Sequence, residues 1–187
     1  MAEIVKAVVV QLDAYYEDAA MDEAFPTVAD VVAEVASVSD VDAALITNLI
    51  AHHEIGDISQ PVVSSLRRLT ERCRVALLSN IWSNSDLWTS YFQQIDIAGC
   101  FNSVTFSSGV GINKPSPQLF ELALQEVGSA ASKSVMIGDS YRRDIVPAKS
   151  LGMHTIWICE DPIDDHPDAD VVVSDFLAVE SVVDTLG

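Results

Sequence analysis

Residues 134–144, S-V-M-I-G-D-S-Y-R-R-D, constrain what this chain can fold into more than any other stretch. Ser134 to Ile137 is a short apolar run of β-formers, which reads as a buried parallel strand. Gly138 ends it and sets Asp139 at the strand's carboxyl end, the edge where open α/β sheets bind ligands. Asp144 reads as the N-cap of the next helix, with Pro147 in its first turn. Gly152 closes that helix, and His154–Ile158 reads as the following strand. Two carboxylates on one loop suit a hard cation such as Mg²⁺, which takes oxygen ligands and keeps several waters. A plainer reading, one cap and one turn aspartate, accounts for the same pair when it stands alone.

From Pro61 onward, strands and helices alternate. A helix over Val62–Arg72 leads into a strand, Val75–Leu78, ending at Ser79-Asn80. A helix near Asp86–Gln94 and a strand around Val104–Phe106 come next, then a glycine-containing loop from Gly109 to Pro115. Ser116 with Pro117 makes an N-cap followed by an N1 proline, starting a helix that runs to Gly128. After the strands at 134–137 and 154–158 come a short strand, Val171–Val173, and a last helix. This alternation predicts a doubly wound parallel α/β sheet over residues 60–187. Asp161–Asp170, rich in Asp and Pro, reads as a solvated loop.

Residues 1–59 read as a small, mostly helical lobe, without glycine until Gly56. Phe25-Pro26 marks a boundary, Thr27 caps a helix through Val31, Val32 and Val35, and Ser39 or Asp40 starts another. Residues 4–16 admit two readings. With a helical period Ile4, Val5, Val8, Val9, Leu12, Tyr15 and Tyr16 share one face; as a strand, Ala7–Leu12 is a β-branched run of the right length. Periodicity favours the helix.

Ten basic against 28 acidic residues give a net charge of −18. Such a surface repels nucleic acid and anionic membranes, and a phosphate ester needs local cations or N–H donors to approach it. The excess of Asp, with four lysines, is a balance that a salty cytosol favours. No apolar run approaches the ~18 residues of a membrane span, and no signal peptide is visible. Cys73, Cys100 and Cys159 are odd in number and lack metal-ligand spacing, so they read as reduced core thiols, and the expected location is cytoplasmic.

Three segments bring polar groups to one sheet edge: Ser79-Asn80 after one strand, Asp139 after another, and Lys114 just ahead of a helix. A phosphoryl group needs hydroxyl and N–H donors, a cation against its oxygens and a metal to offset carboxylate charge. Singly, Ser79-Asn80 is a turn and Lys114 a solvated lysine; together with the acid pair they make a phosphate site. His52-His53-Glu54 is a weaker metal candidate, because adjacent helical residues do not face one another. Trp82 and Trp88 read as packing near the site entrance, and Arg142-Arg143 as solvated charges or partners for nearby acids.

The segments L-L-S-N, N-K-P-S-P-Q-L-F and I-G-D-S-Y-R-R-D-I-V-P-A-K-S-L-G-M resemble, in order and spacing, motifs two, three and four of the haloacid dehalogenase (HAD) superfamily. The resemblance covers roughly residues 60–175. It implies a HAD-like Rossmannoid core with a small helical cap, and Mg²⁺-dependent hydrolysis of phosphate monoesters. Ser79 and the Asn80 backbone would hold phosphoryl oxygens, Lys114 would neutralise nucleophile and phosphate, Asp139 would bind Mg²⁺, and Asp144 would bind it or orient its waters. The implied partner is a small phosphorylated metabolite, not nucleic acid or membrane, and an incomplete sheet edge would invite a second copy of the chain.

One motif of the resembled family is missing. No D-x-D-G-T occurs, and K-A-V-V-V-Q-L-D-A-Y-Y would set Gln11 where the nucleophile belongs and Asp13 in the acid/base place. A neutral amide is a poor nucleophile, so activity is expected to be impaired. A chain beginning inside the cap is the other reading. A non-catalytic protein that keeps the phosphate and metal pocket is the alternative function. A two-component receiver domain would carry its acids first in the chain, and a dinucleotide fold would need G-x-G-x-x-G after its first strand; neither fits.

Overall fold

The computed structural model describes residues 2–36, 40–162 and 166–186. Ala2–Glu17 is a helix, α1, and not a strand. Its Val8 and Leu12, one turn apart, are fully buried. The helical period therefore prevails over β-propensity, and Gln11 and Asp13 lie on a helix rather than at a strand end. Then follow α2 (Val28–Val35), α3 (Asp40–Ile55), α4 (Gln60–Thr70), β1 (Ala76–Ser79) and α5 (Ser85–Gln94). The remaining elements are β2 (Ser103–Phe106), α6 (Ser107–Val110), α7 (Pro117–Val127), β3 (Val135–Gly138), α8 (Val146–Ser150), β4 (His154–Ile158), β5 (Val171–Val173) and α9 (Val179–Val182). The chain forms two compact units. One holds Met1–Asp57, Leu78–Ala98 and Thr105–Asn113; the other holds Ile58–Leu77, Gly99–Val104 and Lys114–Gly187.

The first unit is built on α1, α2 and α3. Val8 and Leu12 meet Val28, Val31 and Val32 of α2 and Ile46 and Ile50 of α3 in one apolar cluster. Each such side chain contributes roughly 1.5–3 kcal/mol on leaving water. Thr27 caps α2 as expected, in a reciprocal box: its hydroxyl accepts from the Asp30 N–H at 3.2 Å, and the Asp30 carboxylate accepts from the Thr27 N–H at 3.0 Å. The Thr27 hydroxyl, donating to the Asp30 carboxylate, helps hold that group below the usual carboxylate range. Residues 22–25 are tied to the 111–113 segment, since Phe25 N–H donates to Gly111 O at 3.1 Å and Asn113 N–H to Asp22 O at 2.6 Å.

In the second unit β3, β4 and β5 form a parallel sheet in that order, with Val135 opposite His154 and Ile156 opposite Val171. Ile156 and Val173 pack against Leu69 of α4 and Val179 of α9. Arg74 closes α7 by donating to the Val127 and Gly128 carbonyls at 2.7 and 2.9 Å, while Gly128 takes the left-handed conformation that ends the helix. β1 and β2 form a separate two-stranded sheet, and among the described residues no ladder joins β1 to β3.

Several expectations change here. β3 is half-buried along its length rather than buried, because among the described residues it has β4 on one edge only. Of the three free cysteines only Cys100 is buried; Cys73 is exposed and Cys159 half-buried. The 161–170 segment is more than a solvated loop, although residues 163–165 lie outside the described ones. Asp170 accepts from Thr155 N–H at 2.9 Å and pairs with Lys149, and Asp168 accepts from the Tyr141 hydroxyl at 3.0 Å. Ser39, the other proposed start of α3, also lies outside the described residues.

Candidate phosphate and cation site

At the carboxyl end of β3 the chain makes a π-helical turn, Tyr141–Ile145, before α8. That turn moves the cap. Ser140, not Asp144, is the N-cap, its hydroxyl accepting from the Arg143 N–H at 3.2 Å. Asp144 instead lies inside the turn, buried, and folds back over the strand end. Its Oδ2 accepts from the Ser140 N–H at 3.0 Å, and its Oδ1 accepts from Lys114 Nζ at 2.5 Å. The fold leaves space for this carboxylate by having glycine at 138: a Cβ there would stand 2.4 Å from Asp144 Oδ2 and 2.5 Å from its Cβ. π turns are rare and recur at functional sites, where one added residue re-aims a side chain.

Lys114 is held twice. Its ammonium meets Asp144, with 12% and 3% of the two side chains exposed, and its carbonyl accepts from Arg143 Nη1 at 2.7 Å. Arg143 is therefore a buried brace rather than a solvated charge. Ser116 stands at the N-cap of α7 as expected, yet makes no capping bond; its Oγ and Asn113 Nδ2 are buried without a hydrogen-bond partner among the described residues. An ion pair taken this far from water gains little net stability, because desolvation offsets the attraction. Its use is to fix an ammonium and a carboxylate in place at the strand end.

Asp139 is exposed, and its carboxylate accepts no hydrogen bond among the described residues. Its backbone is stiffened from below: Trp157 Nε1 donates to the Asp139 carbonyl at 3.0 Å, and the indole stacks edge-on with Tyr141 and His166 at 5.0 Å each. A free carboxylate on a rigid support suits a hard cation. Asp144, with both oxygens engaged, suits the outer sphere of that ion, where it would orient waters. Among the described residues no group of three or more metal-binding side chains assembles.

Ser79 and Asn80 belong to the first unit, as Lys114, Asp139 and Asp144 belong to the second. Ser79 is half-buried at the carboxyl end of β1, its Oγ making a long 3.4 Å contact with the Asn80 carbonyl. The backbone that follows is pinned from two sides. Ile81 N–H donates to Ser107 Oγ at 3.0 Å, and the Glu54 carboxylate of α3 accepts from the Trp82 and Ser83 N–H groups at 2.6 and 3.0 Å. Ser140 is the residue sequence reasoning missed, while Glu54 and Arg143 take backbone-holding roles other than the metal and charge roles read from the sequence. Glu54 acts across 28 residues of sequence, and only its lack of a basic neighbour at helical spacing hints at a backbone role. Trp88 donates to Ser83 Oγ at 2.9 Å and packs on Phe92 and Phe106, whereas Trp82 packs edge-on against Tyr16.

The parallel strands, with a carboxylate pair after one of them and a lysine ahead of a helix, make a Rossmannoid α/β fold. Residues 111–178 match the HAD-hydrolase-like family profile. Phosphoserine phosphatase from Thermus thermophilus is 34% identical over 84 residues, which are 45% of this chain and 33% of that protein. Glyceraldehyde 3-phosphate phosphatase from Pyrococcus abyssi is 36% identical over 64 residues, 34% of this chain and 27% of its own. The chain thus spans a third or less of the length of these curated relatives. Among solved structures, a 2-haloacid dehalogenase from Pseudomonas syringae pv. Tomato DC3000 superimposes with a TM-score of 0.72 at 20% identity, over 98% of this chain and 80% of that one. A HAD phosphatase from Thermococcus onnurineus gives 0.66 at 17%, over 95% and 78%. Residues 111–178 are thus similar to haloacid dehalogenase-like hydrolases, and the fold is that of the same group.

Proposed function

We propose that this chain is a HAD-type hydrolase domain for phosphate monoesters, Mg²⁺-assisted, whose own turnover is impaired. The observation that carries the reading is the buried Lys114–Asp144 pair beside the unengaged Asp139 carboxylate at the carboxyl end of β3. Asp139 would hold Mg²⁺ directly and Asp144 through water, and the ion would supply positive charge against phosphoryl oxygens. Lys114, held by Asp144, would neutralise a phosphate without leaving its place. Ser79 and Asn80 are assigned to phosphoryl oxygens by the motif they share with the family. The phosphatases among the relatives support this substrate class. The charge of −18 favours a small phosphorylated metabolite over nucleic acid or an anionic membrane. Among the described residues no helix is long and apolar enough to cross a membrane.

The impairment proposed here is supported by the lack of a D-x-D-G-T motif in residues 1–187. The same observation supports a second reading, a binding or regulatory protein that retains the phosphate and cation pocket. Hydrolysis of p-nitrophenyl phosphate with Mg²⁺ separates them. Slow hydrolysis that Asp139→Asn removes supports the hydrolase. Silence in both proteins, with inorganic phosphate still bound, supports the binding protein. A rate indifferent to Mg²⁺ and to Asp139→Asn contradicts both.

A further inference from the structure

The first unit contains a cavity of about 460 Å³ that the residues discussed so far do not explain. Val5 and Val9 of α1 and Ile50 of α3 form its apolar wall, and Tyr16 and Trp82, 6.3 Å apart and edge-to-face, form its aromatic wall. Its polar groups are few. Glu54 is among them, but its carboxylate is spent on the Trp82 and Ser83 N–H groups. His53 and Asn80 are the others; Asn80 directly follows Ser79, and its Nδ2 makes a long 3.5 Å bond to the Tyr16 hydroxyl. A concave, largely apolar hollow with a few convergent polar groups, in the size range of ~300–1,000 Å³, is the usual form of a small-molecule site.

We infer that this cavity is a binding site for the organic group of the substrate, and that it takes a planar apolar group, aromatic by preference. The inference rests on the phosphate role proposed for Ser79 and Asn80. A phosphoryl group at Asn80 leaves the ester's organic portion facing Tyr16, Trp82 and the aliphatic wall. Tyr16 and Trp82 offer ring faces and edges to an aromatic guest. A polyhydroxylated group would find His53, Asn80 and the Tyr16 hydroxyl as partners, fewer than its several hydroxyls need, and a buried polar group without a hydrogen bond is costly. Small aromatic phosphomonoesters should therefore be preferred over glycerol- or sugar-type phosphates.

The test uses the full chain with 1-naphthyl phosphate, 1-naphthol, glycerol phosphate and inorganic phosphate as probes, read by tryptophan fluorescence and calorimetry. Val9→Phe and Ile50→Phe each fill the cavity from a different helix, and circular dichroism confirms that each variant folds. 1-Naphthyl phosphate should bind at least ten-fold tighter than glycerol phosphate, and either filling variant should erase that preference while leaving inorganic phosphate affinity unchanged. 1-Naphthol should bind the wild type and be lost in both variants. Equal affinity for the two esters, or naphthol binding untouched by either variant, overturns the inference. Naphthol binding that responds to the variants, with no inorganic phosphate bound at all, sustains the cavity and refutes the phosphate reading instead.

Discussion

Replacing Gly138 by alanine should break the strand-end arrangement without touching any charged group. The new methyl would stand 2.4 Å from Asp144 Oδ2 and 2.5 Å from its Cβ and Cγ, distances at which atoms cannot coexist. Asp144 must swing out or the end of β3 must shift. If Asp144 moves, Lys114 loses its counter-ion at a site where only 12% of its side chain is exposed, and the Ser140 N–H loses its acceptor. Breaking a buried pair from one side costs about 3–5 kcal/mol. An orphaned N–H adds roughly 1–3 kcal/mol, less where water reaches it. A total of about 4 kcal/mol lowers the melting temperature of a chain this size by on the order of 10 °C. Urea denaturation of wild type, Gly138→Ala, Asp144→Gly and the double variant measures it. With Asp144 cut back to glycine, all three colliding atoms are gone, so adding Gly138→Ala should cost under about 1 kcal/mol. Additive costs, or an alanine tolerated in the wild-type background, would refute the reasoning.

Glu54→Gln keeps the shape of the α3 side chain but weakens its grip on the Trp82 and Ser83 N–H groups. It should cost about 1–2 kcal/mol in denaturation and speed amide exchange at 82 and 83 selectively, whereas unchanged exchange would contradict the brace. Burial pushes the Asp170 carboxyl up, but the Lys149 ammonium and the Thr155 N–H and hydroxyl together outweigh it and leave the group below its ordinary value. A carboxyl lowered on folding stabilises the fold above its unfolded value, near ~3.9, and loses that contribution as pH falls through the folded value. The stability gap between wild type and Asp170→Asn should therefore be constant above about pH 5 and shrink below about pH 4; a gap that widens with acid would contradict it. With a net charge of −18, molar KCl should raise the melting temperature by screening self-repulsion, and a flat or falling trend would count against that.

Much of the fold was legible because apolar periodicity and cap chemistry are local. Val8 and Leu12, Thr27 with Asp30, and the run from Ser134 to Gly138 declare themselves within a few residues. Lys114 and Asp144 could be nominated from their places at a helix start and after a strand. Their contact could not be read, since it depends on a π turn that adds one residue and hands the cap to Ser140. Arg143 looked solvated because a basic dipeptide usually is, and only the turn buries one member on the Lys114 carbonyl while leaving Arg142 exposed. Glu54 reaches the Trp82–Ser83 backbone from another element, and Asp170 reaches Thr155 from a loop. Such long-range polar bonds leave no periodic trace in sequence.

In the function proposed here, the carboxyl end of β3 holds a cation and a phosphate through Asp139, Asp144 and Lys114. Calorimetric titration of inorganic phosphate with and without Mg²⁺ probes this, and so does emission in a Trp82→Phe, Trp88→Phe background, where Trp157, bonded to the Asp139 carbonyl, is the remaining indole. Phosphate should bind, Mg²⁺ should strengthen that binding at least ten-fold, Asp139→Asn should uncouple it from Mg²⁺, and Lys114→Met should abolish it. Phosphate affinity equal in all three proteins and indifferent to Mg²⁺ would contradict it.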